Sequence, residues 1–143
     1  VALSSLTLST TKAFLERPSI KAALGKVTPT GTYGAATTNY SDITGNSDEV
    51  PNGSGYTTGG FAWLAAQNTT PTTASTTAYW SWSVNPSWTT ATFSTVGCIF
   101  YNSSSSNRAV YVGDFGGTQS VSAGTFTIVL PTNDSSNAIL RLT

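Results

Sequence analysis

The chain has no histidine, no methionine and a single cysteine among its 143 residues. Only 8% of the residues are charged, against about 25% in ordinary globular domains. Each shortage excludes a class of chemistry. Without His, the common Ser-His-Asp triad has no base. No nucleophile motif surrounds any Ser that would let Lys12, Lys21 or Lys26 complete a Ser–Lys dyad. One Cys cannot build an intramolecular disulfide framework, and a catalytic thiol would want a His beside it. Cys98 sits in the apolar run VGCIF and reads as a small buried hydrophobe. Zinc would find neither His nor a second thiolate, and no metal, cofactor-binding or catalytic residue is assigned from the sequence.

Six basic and six acidic residues cancel to zero net charge. That leaves no electrostatic footprint for nucleic acid and no cationic amphipathic face for a membrane surface. No apolar run approaches the ~18 residues of a spanning helix. No basic segment followed by an apolar stretch marks a signal peptide. A start at Val1 fits removal of an initiator Met before a small residue, and equally a processed N-terminus.

What the chain does have is Ser and Thr, roughly a third of its residues, with four Trp, six Tyr and six Phe. Thr suits strands and Ser suits turns, and the aromatics argue for a packed core rather than disorder. The length is that of one domain, here residues 1–143. Residues 1–16 read as a possible N-terminal arm, with one or two helical turns over residues 10–16 that Arg17-Pro18 would end. IKAALGKV, residues 20–27, reads as a short strand. Residues 28–60 are dense in Gly, Thr, Asn and Ser and hold three of the six acids, Asp42, Asp48 and Glu49. A stretch of this kind predicts a long surface loop, the place for partner contacts.

GFAWLAAQ, residues 60–67, predicts a strand, and residues 69–76 a polar connector. TAYWSWSV, residues 77–84, alternates with Trp80, Trp82 and Val84 on one face, the period of a strand. From residue 91 onward the pattern predicts four strands: ATFSTVGCIFY, RAVYVGDF, TFTIVLP and AILRLT, broken at NSSSSN, GGTQSVSAG and TNDSSN. Seven or eight short strands with regular breaks predict an all-β antiparallel fold, a β-sandwich or barrel.

Several constellations invite chemistry. Glycoside hydrolysis needs two facing carboxylates, and Asp114 with Asp42, Asp48, Glu49 or Asp134 are the candidates. Solvated loop acids are the competing reading. DITGNSDE, residues 42–49, has oxygen ligands for a hard cation but lacks the ligand spacing of an EF-hand. Asp114-Phe115-Gly116-Gly117 predicts a strand end, with Phe115 packed inward, a sharp glycine corner and Asp114 accepting turn amides. The four Trp are expected in the core, whereas an exposed Trp would point to carbohydrate stacking or an interface.

The motif order carries a resemblance. IKAAL, DEVPNGSGYTTGGF, a Trp-containing strand with a PSW turn, IFYN, AVYVGDFGG, SAGTFTIVLP and a closing NAILRL follow one another. This series resembles a family of tailed-bacteriophage virion proteins, from about residue 20 to the end and most strongly over residues 50–61 and 93–142. The first twenty residues differ from the family pattern. The resemblance implies a non-enzymatic structural protein, most like a capsid decoration (cement) protein with a jelly-roll-like sandwich. It further implies location on the outer surface of the virion head, the major capsid protein as partner, and self-association as a dimer or trimer. A neck, tail or fibre component, or a carbohydrate-binding β-sandwich, are the alternatives. Capsid contacts are expected from residues 1–16 and 28–60.

Overall fold

A computed structural model describes residues 20–64, 67 and 69–142. The expected arm and its helical turn lie outside these residues. Among the described residues seven strands form two antiparallel sheets, as expected of an all-β sandwich. The first sheet has the order β2-β1-β5-β6, from Phe61–Ala62, Ile20–Lys26, Ser87–Asn102 and Arg108–Thr127. The second has the order β3-β4-β7, from Thr72–Ala74, Thr77–Trp80 and Leu140–Leu142. A four-residue helix, α1, spans Ser41–Thr44.

β1 and β5 are central strands, and their sequences show why. Ile20, Ala22, Leu24, Cys98 and Phe100 feed a large core shared with the second sheet. The intervening Ala23, Ile99 and Tyr101 feed a smaller core on the opposite face, under Ile43, Tyr33 and Tyr40. A strand buried on both faces reads as a near-continuous apolar run rather than an alternation. All four Trp lie in the large core. Trp63 stacks on Trp82 with ring centroids 4.2 Å apart, and Trp80 meets Trp82 edge-on at 4.9 Å. The Trp63 and Trp80 indole N–H groups donate to the carbonyls of Val84 and Thr69, at 2.9 and 3.0 Å.

Several boundaries differ from the expectation. Of the strand expected over residues 60–67, the described residues hold Phe61–Ala62 as strand, and the strand expected over 77–84 ends at Trp80, leaving Val84 exposed. The polar connector 69–76 contains β3. The largest difference is β6, one strand of 20 residues where two strands and a break were expected. GGTQSVSAG does not end the sheet. Pairing with β5 jumps from Gly97↔Asp114 to Thr95↔Gln119, so residues 115–118 form a bulge within the ladder. Gly116 supplies the positive φ of +73° that the bulge requires. Asp114 Oδ1 accepts the Gly116 amide at 2.9 Å, and Phe115 packs toward the large core, as expected.

The 28–60 stretch holds no strand and most of its residues are exposed, but part of it is anchored to the first sheet. It runs over the outer face of the first sheet and closes the smaller core. Its residues 48–50 bond to the edge of β1: Lys26 N donates to Asp48 O at 2.8 Å, and Val50 N to Leu24 O at 2.9 Å. Ile43, Asp48, Glu49, Val50 and Tyr56 are buried.

Candidate functional site

The unusual chemistry of the chain lies where the 28–60 stretch crosses β1. Asp48 is fully buried, and Glu49 is only 9% exposed. Two adjacent buried carboxylates persist only if each is supplied with donors. The Asp48 carboxylate accepts the amides of Thr30 and Gly31, each at 2.8 Å, and the Thr30 hydroxyl at 3.1 Å. It also accepts the Tyr33 hydroxyl at 2.5 Å and pairs with the Lys26 ammonium at 3.0 Å. Desolvation opposes its ionisation. The Tyr33 hydroxyl, the two amides and Lys26 together outweigh that cost and hold the carboxyl well below the usual aspartate range.

Glu49 has a separate set of donors. Its Oε1 accepts the Tyr56 hydroxyl and the Gly59 amide, both at 2.7 Å. Its Oε2 accepts the Tyr40 hydroxyl. Tyr56 oxygen in turn accepts the amide of Leu24 at 3.0 Å, tying β1 to the carboxylate. The Tyr40 ring stacks on Tyr101 at 4.2 Å and 2° between planes, and the Tyr101 hydroxyl donates to Gly59 O at 2.9 Å. Burial, then the hydrogen bond to Glu49, pushes the Tyr40 and Tyr56 phenols far up. Burial and the nearby Glu49 charge push Tyr101 up to about 12. These phenols therefore stay protonated and act as donors. General acid–base catalysis wants groups that titrate near the working pH, and Asp48 and the phenols are driven away from it.

Gly60 fixes the return of the chain to the sheet. Its φ is +75°, and a Cβ there would stand 1.8 Å from Ala22 O. Backbone of this conformation and closeness admits only glycine.

The other candidates separate. Asp42 Oδ2 accepts the amides of Thr38 and Asn39, at 2.9 and 3.1 Å, so it organises the approach to α1. Asp134 lies in a different turn, its carboxyl lowered by Asn137 and by the Ser136 amide. Asp114 holds the β6 bulge. The expectation of solvated loop acids is thus overturned for Asp48 and Glu49, because both anchor the loop to the sheet. Among the described residues no three His, Cys, Asp or Glu side chains gather as a metal site. Lys26 is held by Asp48, and Lys12 lies outside the described residues. Cys98 is buried, and burial pushes its thiol up to about 12.

Sequence reasoning did not find the tyrosines. The signal was available, since Tyr33, Tyr40 and Tyr56, half of the six tyrosines, share residues 28–60 with half of the acids. Comparison with known proteins finds no matching family model, no matching curated protein and no matching solved structure.

Proposed function

We propose that this chain is a phage virion structural protein, a head decoration or cement protein that binds the outer surface of the major capsid shell and stabilises it without covalent chemistry. The observation that carries the reading is the coincidence of motif and framework. DEVPNGSGYTTGGF, the stretch through which the chain most resembles tailed-phage virion proteins in its first half, supplies Asp48, Glu49, Tyr56, Gly59 and Gly60. Those residues make the buried centre that locks a neutral, hydroxyl-rich surface onto a sheet. A motif spent on shape rather than reaction fits a protein that acts by docking. Many copies, each bridging neighbouring shell subunits through backbone, hydroxyl and aromatic groups, would resist internal pressure by multivalent binding. In this reading the chain is not an enzyme, its partner is the major capsid protein, and it self-associates as a dimer or trimer.

None of the four Trp is exposed, so the exposed Trp that would have favoured the carbohydrate-binding alternative does not support it. Shells of the parent phage, stripped of this chain and heated with and without it added back, test the proposal. Rupture is expected at a higher temperature with the protein present. An unchanged rupture temperature, or location on a fibre in imaged virions, refutes it.

A further inference from the structure

Asn52 is followed by Gly53, and no other of the nine Asn in the chain precedes a glycine. Both residues are exposed, in the turn that runs from Val50 to Tyr56. Gly53 holds φ = +115°, and the space where a Cβ would stand is empty. The amide carbon Cγ of Asn52 is an electrophile, and it stands one residue before a backbone nitrogen that no side chain shields. Hydrogen bonds engage both reacting groups. Gly53 N donates to Tyr56 O at 2.8 Å, and Tyr56 N donates to Gly53 O at 2.9 Å. Asn52 Oδ1 accepts the Thr58 amide at 3.2 Å. Tyr56 anchors the far end of the turn, since its buried hydroxyl donates to Glu49.

We infer that Asn52-Gly53 is a self-modifying site, a deamidation centre gated by this turn. The Gly53 nitrogen loses its proton to hydroxide and attacks Asn52 Cγ. The new N–Cγ bond closes a five-membered succinimide, the Cγ–Nδ2 bond breaks, and the amide nitrogen leaves as ammonia after taking a proton from water. One water then opens the ring. Opening at Cγ gives Asp, and opening at the main-chain carbonyl gives isoaspartate, with the backbone routed through Cβ. Water is the only co-reactant. While Tyr56 O holds the Gly53 N–H and the Thr58 amide holds Oδ1, the nitrogen keeps its proton and the side chain is held by a different amide. The reaction therefore waits for the turn to open. Its product changes the chain in two ways. Six basic residues then face seven acidic ones, so a net charge of zero becomes −1, within the stretch expected to make partner contacts. Isoaspartate also adds one atom to the main chain between Pro51 and Gly53, which disrupts the pairing of Gly53 with Tyr56. The inference is independent of the shell-binding proposal, because it concerns the isolated chain.

Incubation of the full chain at mildly alkaline pH tests it, folded in buffer and unfolded in guanidinium chloride. Conversion at each Asn is followed by peptide mass spectrometry with fragmentation that separates Asp from isoaspartate. Unfolded, Asn52 should convert faster than any other Asn in the chain. Folded, it should convert at least about tenfold more slowly than unfolded, because the hydrogen bonds to Tyr56 O and from Thr58 N have to break first. Tyr56→Phe, kept at a temperature where it is still folded, weakens the anchor of the turn. It should raise the folded rate by about threefold or more through easier local opening, and leave the unfolded rate unchanged. An Asn52 no faster than the other Asn when unfolded, equal rates in the two states, or a folded Tyr56→Phe rate equal to that of the wild type would each overturn the inference.

Discussion

Replacing Tyr56 by Phe tests whether the buried centre holds the 28–60 stretch to the sheet. The ring stays, so packing is conserved and only the hydroxyl is lost. That hydroxyl makes two buried bonds, donating to Glu49 Oε1 at 2.7 Å and accepting Leu24 N at 3.0 Å. Losing the first removes a bond to a charged group, worth about 1.5–3 kcal/mol, and losing the second orphans a buried amide at a cost of about 1–3 kcal/mol. The lower end of the sum is about 2.5 kcal/mol. For a chain of 143 residues this corresponds to a fall in Tm of roughly 10 °C. Tyr101→Phe is the matched control, since its hydroxyl donates to Gly59 O and accepts no backbone amide, so its loss should cost about 1 kcal/mol. Urea unfolding followed by tryptophan fluorescence measures both. A Tyr56→Phe cost within ~0.5 kcal/mol of zero, or no larger than that of Tyr101→Phe, would refute the role given to this centre.

Other outcomes follow from the same geometry. Gly60→Ala must either abandon φ = +75° or drive a Cβ into Ala22 O, so it should cost about 3 kcal/mol or more in thermal melts; a near-native Tm would contradict the backbone described. Asp48 titrates lower folded than unfolded, so its contribution is fully present above the unfolded value of about 4 and is lost as pH falls through the lower folded value. Wild-type Tm should therefore drop steeply below pH ~4, and Asp48→Asn, less stable at neutral pH, should show a shallower drop; parallel curves would count against the pairing. Cys98, buried with its thiol pushed up to about 12, should resist a thiol reagent at pH ~8 in the native state and react fully in denaturant. Rapid native labelling would show that its pocket is open.

The all-β class was legible because alternation and turn residues are local properties. IKAALGK and the run ending in CIFYN read as strands because a strand buried on both faces needs apolar residues without a break, and that demand is written in the order of side chains. The Trp were placed correctly for a similar reason, since a chain of limited aliphatic content has to bury its largest apolar groups. The GG bulge was not legible. A Gly pair signals positive φ whether the strand ends or only swells, and what decided between them was the length of β5, which goes on pairing at Thr95↔Gln119.

The sequence by itself thus determined the kind of element and the chemistry that is missing. With no His and one buried Cys, no folding of this chain assembles a triad or a zinc site of the usual types. Only the tertiary structure decided the fate of the acids. Asp48 and Glu49 look like any loop carboxylates until Tyr33, Tyr40, Tyr56 and Lys26 close on them. Their partners come from positions 7 to 22 residues away in the chain, and the burial that makes those bonds matter exists only once the 28–60 stretch lies across β1. Hydrogen-bond satisfaction of a buried charge is a property of the assembled layers, and no local pattern in this sequence encodes it.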